Sequence, residues 1–133
     1  MNQVRKDFFV YQTNVASLAA AASTTTTITI EADSNFWLQK LSFNAVIGTN
    51  GANQTAPNLL VLITDTGSGR QLMNSPVPVP ALFGTGSLPF ILPNPRLIRR
   101  NGSISIAWTS YEAANALSVR LDFIGYKEYN GEG

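Results

Sequence analysis

The chain has 133 residues, of which 44% are hydrophobic and only 13% are charged. This length and apolar content suit one domain with one core, and the formal net charge of +1 provides no field for attracting nucleic acid or an anionic membrane. Histidine and cysteine are absent, which removes the commonest general base, the commonest metal ligand and any disulfide. We therefore expect no cofactor and no metal, and the low charge favours association with other copies or with a larger assembly.

The amino-terminal region combines a strand pattern with a small-residue stretch. Residues 5–12 (RKDFFVYQ) are rich in aromatic and β-branched side chains and predict a strand, whereas residues 16–22 predict a connector or a single helical turn. We therefore expect residues 1–23 to form an arm whose strand would suit addition to an exposed sheet edge. The same region has a faint similarity to a signal peptide, but polar residues interrupt its apolar run, so we do not predict one. No apolar stretch is long enough to cross a bilayer.

Further strands are predicted in the middle of the chain, at residues 24–31, 36–47 and 58–64. In the second of these, Trp37, Leu41 and Phe43 share one phase of the alternation, which predicts that Trp37 packs in the core. The third, NLLVLIT, is continuously apolar, as expected of a strand buried on both faces. A turn at residues 65–69 and a short strand from Arg70 to Met73 follow.

Strands are also predicted near the carboxyl end, at residues 96–99, 103–109 and 117–126. The first two are joined by Asn101-Gly102, a strong hairpin pattern, and Ile104, Ile106 and Trp108 alternate cleanly. With about eight strands and no long helix, the sequence predicts an all-β protein with a single antiparallel β-sandwich, jelly-roll-like in form. The sandwich is expected over residues 24–127, followed by a polar tail at residues 128–133.

The stretch from Ser75 to Pro95 carries no charge and holds six of the seven prolines. Proline lacks a backbone donor, so we expect neither a helix nor a central strand here, and the apolar side chains predict an ordered loop. This loop covers an open end of its own sandwich or contacts a neighbouring subunit, and its length favours the second alternative. The predicted contact residues are Val77, Val79, Leu82, Phe83, Leu88, Phe90 and Ile91, together with Phe8 and Phe9.

Arg96, Arg99 and Arg100 form the basic cluster of the chain. We include them among the candidate contacts, for an acidic partner surface. The alternative is a solvated strand end beside the Asn101-Gly102 hairpin.

Two motifs invite an enzymatic interpretation. Residues 65–67 (Asp-Thr-Gly) resemble the motif of aspartic proteases, but Asp65 of two chains would have to meet, and Asp-x-Gly is also an ordinary turn. Residues 84–86 (Gly-Thr-Gly) lack the remainder of a phosphate-binding loop. We therefore predict no enzyme, whereas a carbohydrate-binding module would require exposed Phe36, Trp37 and Tyr111.

The segment VPVPALFGTGSLPFILPNPRLIRRNGSISIAW joins a proline-rich loop to a strand hairpin. It resembles a segment of head-decoration and related virion proteins of tailed bacteriophages. The resemblance implies a jelly-roll-like sandwich without catalytic residues, a homo-oligomer with a trimer favoured, and binding over junctions between capsomers. The implied partners are the major capsid protein or other virion proteins, with no nucleic acid and no membrane. The implied location is the virion, assembled in the host cytoplasm, and a neck, tail or fibre-adaptor component is the alternative.

Overall fold

The computed structural model describes residues 5–47, 52–53, 57–84, 88–112 and 116–129. Within these residues lie ten strands and one short helix. They are β1 (Arg5–Leu18), β2 (Ser23–Thr29), β3 (Asn35–Ile47), β4 (Ala52–Asn53), β5 (Leu59–Asp65), β6 (Arg70–Gln71), β7 (Val77–Pro78), α1 (Val79–Leu82), β8 (Phe90–Ile98), β9 (Ser103–Ser110) and β10 (Leu117–Tyr129).

The strands form two antiparallel sheets. In the first, called the β10 sheet, the order is β1-β10-β3, and β8 and β4 both pair with the far side of β3. In the second, the β9 sheet, the order is β2-β9-β5, and β6 and β7 both pair with the far side of β5. Successive long strands alternate between the sheets, as in a jelly roll. The predicted antiparallel β-sandwich is confirmed.

Alternating side chains of both sheets form one core. Ile104, Ile106 and Trp108 of β9 point inward and are at most 1% exposed, as their alternation predicted. The indole nitrogen of Trp108 donates a hydrogen bond of 2.8 Å to Thr26 Oγ1, so its burial leaves no polar group unpaired. Phe123 of β10 is also fully buried. Full burial of side chains of this size contributes roughly 1.5–3 kcal/mol each.

The amino-terminal strand is part of the sheet rather than a separate arm. β1 pairs with β10 from Arg5 opposite Tyr129 to Leu18 opposite Leu117. Its inward positions Tyr11, Thr13 and Leu18 are buried, so the strand continues well beyond the predicted end at residue 12. At the other end of the chain, residues 128 and 129 lie in β10 and not in a polar tail.

The proline-rich segment contains regular structure that the sequence analysis excluded. α1 is a single turn, and Pro80 lies in its first turn, where no intrahelical N–H donor is needed. β8 contains Pro93 and Pro95 but pairs with β3 alone, so it is an edge strand, in which proline is tolerated. We predicted that this segment contains no helix, and the single turn α1 shows that this was wrong. The prediction that it contains no central strand agrees with the pairing of β8 at the edge of the sheet.

A bulge in the central strand β3 determines which side chains face outward. Leu38 lies opposite Gly125 and Lys40 lies opposite Ile124, so Gln39 is an extra residue on β3. Because of this extra residue, even-numbered side chains of β3 point into the core before the bulge and odd-numbered side chains do so after it. Leu38 is buried before the bulge, and Leu41 is buried after it. Trp37 therefore points away from the core, and its predicted core position was wrong.

Gly125 is the residue that permits this bulge. A Cβ atom at this position would lie 1.9 Å from the carbonyl oxygen of Trp37 and 2.9 Å from its carbonyl carbon. Any larger residue would therefore have to displace the backbone of β3.

A buried lysine connects β10 to the turn between β2 and β3. The Nζ atom of Lys127 donates a hydrogen bond to Glu31, lies 3.7 Å from Asp33 and is 4.1 Å from the centre of the Phe9 ring. Burial alone lowers the pKa of Lys127, but the hydrogen bond to Glu31 and the nearby negative groups raise it above its usual range. Burial raises the pKa of the neighbouring Tyr11, although the hydrogen bond that its hydroxyl accepts from Glu31 N opposes the rise.

Candidate functional site

The outward surface of the β10 sheet carries two adjacent rows of mostly apolar side chains. Residues directly opposite each other in antiparallel strands point to the same side of a sheet. One row contains Phe8, Tyr126, Trp37 and Leu97, and the other contains Val10, Ile124, Lys40 and Ile91. We call this surface the apolar face. It crosses four strands, or about 14 Å at the usual strand spacing.

The apolar face is partly open to solvent. Phe8 is 76% exposed and Ile91 is 64% exposed, at opposite edges of the sheet. Between them, the rings of Trp37 and Tyr126 stack with their centroids 6.3 Å apart and their planes at 22°. The pairing register therefore brings two predicted contact residues, Phe8 and Ile91, onto one surface. It also adds Trp37 and Tyr126, which the sequence analysis did not propose as contacts.

The first part of β8 carries further exposed apolar side chains at this edge of the sheet, but Phe90 lies opposite the buried Leu41 and so points to the core side, not to the apolar face. Leu88 is 80% exposed and Phe90 is 39% exposed, next to Ile91. β8 pairs with β3 through Phe90 and Ile91, and again from Arg96 onward. The four residues between, 92–95, lie opposite the single residue Gln39, so this part of β8 bulges away from the sheet.

Two predicted contact residues lie in the core of their own chain. Val79 is fully buried and Phe83 is 2% exposed, with its ring edge-on to that of Phe123 at 6.0 Å. Their assignment as partner contacts was wrong, because the β-sandwich itself supplies their apolar surroundings.

The remaining apolar contact residues are half-buried. Val77 lies in β7 opposite Val61, Leu82 packs against the core, and Phe9 lies beneath the amine of Lys127. The front of the proline-rich segment therefore contributes to the core, and the large exposed apolar side chains among its described residues lie in the rear part, from Leu88.

The three arginines of the basic cluster separate in space. Arg96 Nη2 lies 3.7 Å from Asp65 Oδ2, and Arg99 is exposed nearby. Both line a cleft of ≈ 580 Å³ that also includes Arg70, a residue the sequence analysis did not single out. Arg100 is not part of this lining; its backbone N–H donates to Asn35 Oδ1 at 3.0 Å.

Asp65 organises the turn that follows β5. Its Oδ1 atom accepts hydrogen bonds from the backbone N–H groups of Gly67 at 3.1 Å and Ser68 at 3.4 Å. This is the arrangement of a turn aspartate. Across the described ranges there is no group of three or more acidic, histidine or cysteine side chains that could hold a metal ion.

The three aromatic residues proposed for a carbohydrate-binding module do not share one exposed surface. Phe36 is fully buried, Trp37 lies on the apolar face, and Tyr111 is 63% exposed beyond the end of β9. In the Gly-Thr-Gly sequence, Gly84 bonds to β3 by accepting from Phe43 N at 2.8 Å, while residues 85 and 86 lie outside the described residues.

Helices of membrane-spanning length and hydropathy do not occur in the described part of the chain.

Comparison with known proteins gives no relative: no family model, no curated protein and no solved structure matches this chain. Evidence for function therefore comes from the fold and from the two surfaces described above.

Proposed function

We propose that this protein is a non-enzymatic structural protein of a virion, where it acts as a homo-oligomer that decorates the outside of the capsid. The observation that carries the proposal is the apolar face, four strands wide, on a chain with only 13% charged residues. Contiguous exposed apolar surface of this kind marks protein interaction sites. The resemblance of the proline-rich segment to phage head-decoration proteins indicates which assembly the face would serve.

The apolar face is suited to rigid docking. It lies on paired strands, and the Trp37 and Tyr126 rings already stack on each other, so little side-chain freedom is lost on contact. A standard interface buries about 1,600 Å² in total, a little over half of it apolar, which gives roughly 20 kcal/mol of gross stabilisation. Association costs an estimated 4–15 kcal/mol or more, and a standard interface has about 20–30 residues a side, so the docked surface would extend beyond the eight residues of the two rows.

The mechanism would be cementing of the capsid shell. Each copy would bury apolar surface across neighbouring capsid subunits and so oppose the outward pressure of packaged DNA. Symmetry multiplies each contact, because an oligomer that binds several subunits at once gains avidity without new kinds of contact. A trimer is the favoured oligomer, and a neck, tail or fibre-adaptor protein using the same face is the second candidate.

The oligomeric state in solution tests the proposal. We expect the unmodified protein to sediment as a trimer, and the double variant Phe8→Lys with Ile91→Lys to sediment as a monomer with an unchanged circular dichroism spectrum. The matched control is Thr25→Lys with Thr27→Lys, which adds the same two charges to exposed positions of the β9 sheet. This control should remain trimeric.

Binding to purified capsid shells separates the structural candidates. A trimer that co-sediments with the shells supports decoration, and a ring of six or twelve copies supports the neck role. An unmodified protein that stays monomeric at high concentration and leaves shells unbound contradicts both. Equal dissociation of the two double variants would contradict the role of the apolar face.

A further inference from the structure

A basic cleft lies where the two sheets meet along one edge of the sandwich. It has a volume of ≈ 580 Å³ and lies between the turn after β5, in the β9 sheet, and the edge strand β8, in the β10 sheet. Its lining consists of Asp65, Ser68, Arg70, Asn94, Pro95, Arg96, Leu97 and Arg99. The volume is within the range of ligand-binding clefts.

Positive charge is concentrated in this cleft. Three of the nine lysine and arginine residues line it, Arg70, Arg96 and Arg99, against the single acid Asp65. No ion pair joins Arg70 or Arg99 to an acid within the described ranges. Two exposed guanidinium groups therefore keep their hydrogen-bonding capacity for another molecule.

The pairing between Arg96 and Asp65 is incomplete. Their closest atoms are 3.7 Å apart, which is too far for a hydrogen bond. The other carboxylate oxygen of Asp65 is occupied by the turn, and Arg96 Nε is buried without a hydrogen-bond partner among the described residues. The cleft therefore contains an arginine whose Nε donor no described residue satisfies.

The edge of β8 cannot recognise a partner through strand addition at this point. Pro95 lines the cleft and Pro93 precedes it in the same bulge, and neither has a backbone N–H to donate. Recognition must therefore use the side chains of the cleft, and its arginines are the strongest donors there.

We propose that this cleft binds carboxylate side chains of an acidic segment from a partner protein. Guanidinium groups bind carboxylates through two parallel hydrogen bonds, while Pro95 offers apolar contact to the aliphatic part of glutamate. The apolar ring of Pro95 favours a peptide over inorganic phosphate, because phosphate has no aliphatic part to contact it. The proposal does not depend on the virion assignment, because its arginines lie outside the apolar face.

Titration with a fluorescent hexaglutamate peptide tests the site, with hexaglutamine as the matched peptide. At about 20 mM salt, where screening is weak, we expect saturable binding of one hexaglutamate per chain and none of hexaglutamine. Arg70→Gln and Arg99→Gln should each weaken binding about tenfold, the effect of losing one charge-assisted hydrogen bond. Arg120→Gln, at an exposed position of β10 outside the cleft, is the control and should bind like the unmodified protein.

Four results would overturn the proposal. They are an absence of saturable hexaglutamate binding, equal binding of hexaglutamine, an equal loss in Arg120→Gln, and binding of inorganic phosphate in place of hexaglutamate. The oligomeric state is measured on the same samples. Failure of peptide binding in a protein that remains oligomeric would remove the cleft proposal and leave the apolar face as it stands.

Discussion

The outward surfaces of the two sheets differ in composition although both sheets contribute to one core. On the β10 sheet, the two rows of the apolar face are mostly aromatic and aliphatic, whereas the rows beyond them, such as Asn14, Arg120 and Asn44, are polar. On the β9 sheet, one row contains Thr27, Ser105 and Thr64, and the next contains Thr25, Ala107 and Leu62. Small hydroxyl side chains are easily hydrated, whereas exposed Phe8 and Ile91 are not.

This difference separates the requirements of folding from those of function. The inward side chains are sufficient to form the core, so the fold does not require an apolar outer surface on either sheet. The β9 sheet has the hydrated surface expected of an antiparallel sheet with one face in water. The two apolar rows of the β10 sheet lack this hydrated surface. Exposed apolar rows of this kind are expected of a surface that docks against another protein.

The largest expected effect comes from a core residue of the proline-rich segment. Phe83→Ser should lower the free energy of unfolding by about 3–5 kcal/mol, because it removes a fully buried ring and places a hydroxyl group in the core. Phe90→Ser, at a position that is 39% exposed, should cost far less. Urea denaturation measures both, and any loss of association in the Phe83 variant would report unfolding rather than a lost contact. A similar loss of unfolding free energy in the two variants would contradict the conclusion that the front of the segment is buried and its rear part is exposed.

The next largest effect is expected at the bulge in β3, which turns Trp37 outward onto the apolar face. Gly125→Ala should lower the free energy of unfolding by about 1–3 kcal/mol, because its methyl group would meet the Trp37 carbonyl and strain the bulge. Gly67→Ala is the control, since its Cβ atom would make ordinary contacts of 3.4 Å. Thermal unfolding gives the stabilities and tryptophan fluorescence follows the exposure of the indole. Equal melting temperatures for the two variants would show that the bulge is not constrained at Gly125.

The smallest effect is a loss of stability in alkali. The pKa values of Lys127 and Tyr11 are raised in the folded state, so both groups stabilise it below their unfolded pKa values, and that contribution is lost as pH rises through the folded values. Since both ordinary values are near 10, we expect unfolding free energy to fall above about pH 10. Lys127→Met should make this fall shallower, and Lys6→Met, at an exposed position, should not. If the unfolding free energy fell equally steeply with pH in the unmodified protein and in both variants, Lys127 would not contribute to the loss of stability in alkali.

The sequence predicted the fold class because the strong alternation of β9 and β10 survives in the structure. Ile104, Ile106 and Trp108 each occupy the predicted phase. The position of Trp37 was not predictable in this way, since one inserted residue at Gln39 reverses the phase of β3. A glycine in the partner strand, Gly125, was the available indication of such a bulge.

The apolar face was missed for a related reason. Phe8 and Ile91 are 83 positions apart, and only the pairing of β1, β10, β3 and β8 places them on one surface. Composition indicated that apolar side chains would be exposed, but not where they would meet. The burial of Val79 and Phe83 was equally hidden, because the uncharged segment looks the same in sequence whether it faces the core or solvent.

The proline-containing bulge of β8 also bears on how copies of this sandwich can join. Because Pro93 and Pro95 remove two backbone donors there, backbone pairing through the β10 sheet is left mainly to β1 at its opposite edge. If two β1 edges met, the joined β10 sheet would have only proline-containing β8 edges at its two ends, which hinder further extension of that sheet. The prolines therefore hinder one of the two ways in which the β10 sheets of successive copies could join edge to edge, and they do so without adding charge to a sparsely charged protein.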